Sequence, residues 1–273
     1  PLLKMLKEDD FFELQLIVTG MHLSTEFGLT YQEIEKDGFI INNKVEMLLS
    51  SDTATGISKS VGLGIVGFAD ALEKLRPDVV VVLGDRFEIL AATIAAYVAH
   101  IPIAHLHGGE VTIGAYDDAF RHMITKMAYL HFASTEDYRQ RIIQLGENPD
   151  RVFNVGAIGI DKIKNMKLLT QKQLEKELGL KFDKKTILVT VHPVTLENNT
   201  SEQQFKKLLA ALDNFPELQI IFTKPNADSY GRVIIKLIDE YVKNNPQRSK
   251  AFVSLGYLKY LSALKFVKCV IGN

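Results

Sequence analysis

The chain has one cysteine, Cys269, among its 273 residues. No disulfide can form within it, and a reducing cytoplasm is the expected home. Cys269 lies in an apolar run and is expected to be a small buried hydrophobe. Net charge is nearly absent: 32 Lys+Arg against 33 Asp+Glu leave −1. That argues against the broad basic face demanded by nucleic acid or an anionic membrane, although a few local cations can still hold a small anion. Apolar runs of membrane-spanning length are missing. The best candidate, Ile89–Ala99, is short and is followed by His100 and Pro102. No signal-peptide pattern shows. P-loop and G-x-S-x-G motifs are absent. Gly62, Gly64 and Gly67 do spell GxGxxG, but inside a helical run, about Thr53 to Leu75, and after a polar segment. A dinucleotide fingerprint must follow a strand and open a helix, so no nicotinamide or flavin cofactor is expected. His105, His107 and Glu110 lack the spacing of a known metal set, and no metal is expected.

What is present is the balance of a packed globular protein, 47% hydrophobic and 24% charged, with length enough for two domains. Short apolar runs alternate with helical patterns: "LQLIV", "DVVVVL", "IPIAHL", "LHFAS", "RVFNV", "TILVTV", "LQIIFT", "AFVSL" and "KCVIG". Several are apolar throughout, as strands are when helices cover both faces of a parallel sheet. Between them lie helical stretches at Arg86–Ala99, Asp118–Tyr129, Thr135–Leu145, Glu202–Leu212 and Tyr230–Val242. The expected class is doubly wound α/β. The series restarts after a lysine-rich stretch with one helix and no strand. A boundary near Asp161–Asn165 gives two Rossmann-like domains, 1–162 and 163–273, with a cleft between them.

In open parallel sheets ligands sit beyond the carboxyl ends of the strands. The residues just past each apolar run are therefore the candidates. After "VVVVL" come Gly84, Asp85 and Arg86; Asp85 is either the cap of the next helix or a ligand-facing base beside an arginine clamp. After "IPIAHL" come His107, the pair Gly108–Gly109, which lets backbone approach a ligand closely, and Glu110. His105, inside the strand, is expected in the core. Asp117 and Asp118 precede the helix bearing Arg121 and His122. One of them is expected to cap that helix, leaving the other spare. In the second half His192 follows "TILVTV", and Asn226 follows "IIFTKP", to cap a helix or to bind a base or ribose. Carboxylates, a histidine and an arginine suit a reaction that builds positive charge on carbon and negative charge on a departing phosphate. A two-lobed α/β protein with such a site fits a sugar nucleotide.

The stretch "VVVVLGDRFEILAA…IPIAHLHGGEVTIGAYDDAFRHMITKMAYLHFAS" closely resembles the hydrolysing UDP-N-acetylglucosamine 2-epimerases of sialic and nonulosonic acid synthesis. The likeness extends through "VTGMHLSTEFGLT", "VGAIGIDKI", "VTVHPVTLEN", "FTKPNADSYG" and "LGYLKYLSALKFVKCVIGN", nearly the whole chain. It implies the glycosyltransferase-B fold. It also implies elimination of UDP to a glycal, then addition of water to give the free 2-epimeric sugar. Asp85, Glu110, Asp117 and His192 fall on catalytic positions. Arg86, His107, Gly108, Gly109, Asn226 and Asn273 fall on substrate-binding ones. Many relatives carry a catalytic glutamate where this chain has His107, so that proton-handling role passes to His107 or to Glu110. UDP-N-acetylglucosamine and a 2,4-diacetamido-trideoxy analogue both fit as substrate. A UDP-sugar glycosyltransferase of the same fold, or a non-catalytic sugar-nucleotide sensor, is the alternative. A homo-oligomer is expected. Set against the resemblance, the chain looks truncated at both ends, without the first strand and arginine loop and without the serine-rich turn after "IGN". It is therefore expected to bind UDP poorly.

Overall fold

A computed structural model describes residues 2–49, 51, 53–182, 185–193, 200–225 and 231–272. The chain divides into two compact units, Pro1–Lys164 and Asn165–Asn273.

In the first unit α1 (Leu2–Glu8) leads to β1 (Ile17–Thr19), α2 (Tyr31–Lys36) and β2 (Asn43–Val45), and β1 pairs in parallel with β2. The long α3 (Ala54–Leu75) follows, started by the Thr53 side chain, which accepts from Gly56 N. Then come β3 (Val80–Leu83), α4 (Phe87–Val98), β4 (Ile103–Leu106), α5 (Asp117–Met127), β5 (Leu130–Ala133), α6 (Glu136–Gln144), β6 (Val152–Asn154) and α7 (Ile158–Asn165). The four strands β3-β4-β5-β6 form a parallel sheet in sequence order. Its core joins Val82 and Ile103 to Phe87, Leu90 and Ala91 of α4, Phe68 and Leu72 of α3, and Ile124 of α5. The GxGxxG glycines lie within α3, where Gly64 and Gly67 serve packing and Gly62 faces open space. A Cβ at Gly64 would fall 2.6 Å from Met47 Cε and 2.9 Å from Ala91 Cβ, and one at Gly67 2.7 Å from Val45 Cγ1.

The second unit has α8 (Gln171–Leu178), β7 (Thr186–Thr190), α9 (Ser201–Asp213), β8 (Gln219–Thr223), α10 (Gly231–Asn244), β9 (Ser249–Phe252), α11 (Gly256–Leu264) and β10 (Cys269–Gly272). Its parallel sheet runs β10-β7-β8-β9. Strand alternation explains the unbroken apolar runs. Ile187, Val189, Ile220 and Phe222 pack among Phe205 and Leu209 of α9 and Ile234 and Ile238 of α10. Leu188 and Ile221 point the other way, to Leu174 and Leu178 of α8 and Ala263 of α11. Cys269 departs from expectation and is exposed, because among the described residues β10 lies at the edge of its sheet, beside β7. The strand β2 was not legible in its polar "NKV". Both four-stranded sheets are parallel α/β, as the alternation of runs implies. No helix among the described residues is long and apolar enough to cross a membrane.

Candidate active site

The chain leaves β3 through Gly84, whose φ of +78° suits a residue without a Cβ. Gly84 N donates to Leu106 O at 3.0 Å, so the turn is tied to β4. A buried histidine fixes it from behind. His105 Nε2 lies 2.9 Å from Gly84 O, and its Nδ1 lies 3.2 Å from Thr125 Oγ1. A carbonyl only accepts, so Nε2 carries the proton and Nδ1 accepts from the threonine hydroxyl. Burial lowers the His105 pKa to about 4, so the ring is neutral at neutral pH. The core histidine read from the sequence is thus also the brace of the Asp85 turn.

Asp85 does not cap α4. The capping position falls on Arg86, which makes no side-chain cap bond. Asp85 instead receives Arg121 Nη2 on Oδ2. Arg121 is buried, 6% exposed at its side chain, and also reaches Asp118 Oδ1 at 3.3 Å and Thr112 Oγ1 at 2.9 Å. Neither aspartate of the "DD" pair caps α5 either, since Tyr116 holds that position. Asp118 Oδ1 accepts the backbone N of Thr112 at 2.8 Å, pinning the loop after β4 to the helix. Asp117 begins the helix half-buried. Burial raises the Asp85 pKa, Arg121 and Arg86 oppose that rise, and Glu110 adds to it. Asp85 therefore keeps a proton to a higher pH than an ordinary carboxylate, as suits an acid–base group.

At the end of β4, His107 takes a left-handed conformation, φ +64°, uncommon for a residue with a Cβ. Its backbone N still donates to Phe132 O at 2.9 Å. The close approach allowed by the two glycines is to protein. A Cβ at Gly108 would sit 3.0 Å from Thr125 Oγ1 and 3.1 Å from His105 Nδ1, while one at Gly109 would strike the Tyr138 carbonyl of α6. Arg141 of α6 donates to Gly109 O. The turn thus held places Glu110 so that its Oε1 lies 2.7 Å from His107 Nδ1 and 2.7 Å from Ser134 Oγ.

Beside Asp85, Arg86 lays its fork on buried Glu88, Nε to Oε2 at 3.1 Å and Nη2 to Oε1 at 3.4 Å. Gly20, just past β1 with φ +61°, packs on the same carboxylate; a Cβ there would lie 2.8 Å from Oε1. His22 is near enough to feel Glu88. Burial lowers its pKa, and Glu88 and Glu33 push it back up.

In the second unit His192 is half-buried two residues past β7. Asn226 and Asn273 lie outside the described residues. The strand ends of the first unit therefore bring together Asp85, Arg86, His107, Gly108, Gly109 and Glu110. Sequence reasoning gave no role to Arg121, Thr112, Glu88 and Ser134, and offered Asp118 only as a cap or a spare carboxylate. Two signals were available. Ser134 is the first residue past β5, where the strand-end rule points, and Asp118 and Arg121 stand at i, i+3 on a helix. Among the described residues no cluster of three or more His, Cys, Asp or Glu is placed to hold a metal ion.

The chain is 47% identical over 268 residues to the GDP/UDP-N,N'-diacetylbacillosamine 2-epimerase (hydrolyzing) of Campylobacter jejuni, covering 98% of this chain and 70% of that protein. It is 37% identical to the UDP-N,N'-diacetylbacillosamine 2-epimerase (hydrolyzing) of Legionella pneumophila, covering 99% of this chain and 69% of that one. In fold it is similar to the Neisseria meningitidis UDP-GlcNAc 2-epimerase solved with UDP-GlcNAc, with a TM-score of 0.78 at 18% identity over 100% of this chain and 73% of that one. The UDP-N-acetylglucosamine 2-epimerase profile matches residues 4–273, and the chain belongs to that family.

Proposed function

We propose that this protein is a hydrolysing 2-epimerase of a UDP-N-acetylhexosamine, with UDP-N,N'-diacetylbacillosamine, a 2,4-diacetamido-trideoxy sugar, as its substrate. The observation that carries this reading is the 47% identity across 98% of the chain to a relative named for that reaction. The site chemistry supports it. In the elimination, the C2–H and C1–O bonds break, a C1–C2 double bond forms, and UDP leaves with the C1–O electron pair. Water then adds hydroxyl to C1 and a proton to the opposite face of C2. Such a sequence needs proton-handling groups and cations beside an anionic leaving group. Asp85, Glu110 and Asp117 are assigned to the sugar, with Arg86, His107, Gly108 and Gly109 around it. His192, Asn226 and Asn273 are assigned to the nucleotide.

Proton NMR of the full-length protein supplied with UDP-N,N'-diacetylbacillosamine tests this. The expected result is UDP and the free manno-configured sugar, with far slower turnover of UDP-N-acetylglucosamine. Faster turnover of the latter overturns the substrate assignment. Absence of UDP release from either sugar overturns the activity. Asp85→Asn is expected to lower kcat by about 10²–10⁴-fold. A sensor with no catalysis would show only a changed binding constant.

A further inference from the structure

We infer that His107 and Glu110 form a dyad in which the imidazole Nε2 takes the C2 proton and the carboxylate positions the ring. The inference rests on the epimerase reading above and assigns the proton to one of the two groups.

The hydrogen bonds decide the division of labour. Glu110 Oε1 is already engaged twice, by His107 Nδ1 at 2.7 Å and by Ser134 Oγ at 2.7 Å. A carboxylate only accepts, so Nδ1 carries the ring proton and Ser134 donates its hydroxyl. The neutral imidazole is thereby fixed in one tautomer, with the Nε2 lone pair as its remaining acceptor. Nε2 has no hydrogen-bond partner among the described residues. The ring is 24% exposed, enough for a ligand to reach it. A base oriented by a carboxylate through its far nitrogen is the arrangement that general-base histidines share across unrelated folds.

Backbone geometry leads to the same division. His107 sits at φ +64°, a conformation that costs a residue with a Cβ of order 1–2 kcal/mol and that glycine takes freely. The strain is held by His107 N on Phe132 O at 2.9 Å and by Gly109 packed under α6. Strain retained at a titratable side chain on a strand end suits a functional group. Glu110 is held by two donors, His107 Nδ1 and Ser134 Oγ just past β5; its role is positioning.

In the step assigned to the dyad, the C2–H bond breaks and its electron pair becomes the second C1–C2 bond. The C1–O bond breaks with its pair on UDP, and the proton passes to Nε2. The imidazolium that results lies against the Glu110 carboxylate, which neutralises its charge.

Chemical rescue tests the assignment. The full-length protein and its His107→Gly, His107→Asn, Glu110→Gln, Glu110→Gly and Ser134→Ala variants are assayed for UDP release, with circular dichroism confirming the fold. His107→Gly suits the left-handed backbone, and asparagine tolerates it, so at least one ring-deleted variant retains the structure. Expected for both His107 variants is a fall in kcat of about 10²–10⁴-fold. Added imidazole should raise the rate of His107→Gly at least tenfold, with saturation. Glu110→Gln should lose about tenfold to a hundredfold in kcat with KM little changed, and Ser134→Ala a few-fold. Formate or acetate should not restore Glu110→Gly. Restoration of Glu110→Gly by formate while His107→Gly ignores imidazole would make the carboxylate the proton acceptor and overturn the dyad. A His107→Gly or folded His107→Asn variant within threefold of the parent would overturn it too. A parent protein silent on every UDP-sugar defeats the epimerase reading, whereas an active parent with no imidazole rescue defeats the dyad alone.

Discussion

The two units carry sheets of the same kind, four parallel strands wrapped by helices, yet they gather charge at opposite ends. In the first unit Asp85, Arg121, Asp118, His107 and Glu110 lie where β3 and β4 finish and α5 begins. In the second, Asp213, Tyr241 and Arg248 form a polar cluster among the described residues. Asp213 ends α9 just before β8, and Arg248 immediately precedes β9, so this cluster sits where strands start. At the other end Thr190 and Thr223 pair their hydroxyls, and Lys224 meets Asp239 at 2.7 Å. Ligands in open parallel sheets bind at the carboxyl ends. On the proposed function, the placement separates charges assigned to chemistry from charges that hold the fold. Breaking the first kind should cost activity as well as stability, and breaking the second kind stability alone.

The largest effect is expected at Arg121. It is buried and shared by Asp85, Asp118 and Thr112. Arg121→Met leaves two carboxylates without their cation, which for buried pairs costs about 3–5 kcal/mol; partial exposure of the two aspartates reduces this to about 2–4. The Asp85 pKa should rise further, because the main force opposing its burial is gone. Urea unfolding and kcat should therefore fall together, and a variant that loses stability with kcat intact would remove the distinction between the two ends.

A second effect comes from histidine. His192 is the only histidine in residues 165–273, whereas the first unit has His105 wholly buried. The folded pKa of His105 is about 4 against 6.5 for the free side chain. The unfolded chain thus binds the extra proton between those values, and stability falls as pH falls. His105's contribution is complete above pH 6.5 and is lost progressively toward pH 4, in total about 3 kcal/mol. Burial also lowers His131 beneath its ordinary value, against the pull of Glu147, and adds loss of the same sign. Hydrogen exchange at pH 7 and pH 4.5 should show the first unit opening in acid with the second little changed. Equal loss in both units would place the acid sensitivity elsewhere.

These contrasts were unevenly legible in the sequence. The apolar runs gave nine of the strands, and in β4, β7 and β8 residues of both faces are buried, so those runs are unbroken and easy to see. The strand β2 escaped because two of its three residues are polar, and what makes "NKV" a strand is its pairing with Ile17–Thr19. Candidate residues at strand ends were legible because topology puts them there. Their partners were not. A sequence shows Asp85 before a helix and suggests a cap, whereas the buried Arg121, 36 residues on, captures it instead. Likewise "HGGE" shows a histidine three residues from a glutamate, but not that Ser134 from the next strand completes the trio. Long-range polar pairing carries no period, and this is where local reasoning stops.

The smallest effect is expected at the far end of the second unit. Tyr241 donates its hydroxyl to Asp213 Oδ1 at 2.7 Å and accepts from Arg248 Nη2 at 2.5 Å. Burial, aided by the Asp213 bond, pushes its pKa up to about 12, so the phenol stays protonated throughout the working range. Tyr241→Phe keeps the ring, which packs edge-on to Phe222 at 5.7 Å, and leaves Arg248 bonded to Asp213 at 2.6 Å. Only the hydroxyl's bonds are lost, about 1 kcal/mol. Thermal unfolding should detect this, while kcat and KM stay at the parent values, because the cluster lies where β8 and β9 begin. A change in kcat without a matching loss of stability would mean that the strand-start end of this unit also communicates with the chemistry, and the division drawn between the two kinds of charge would fail there first.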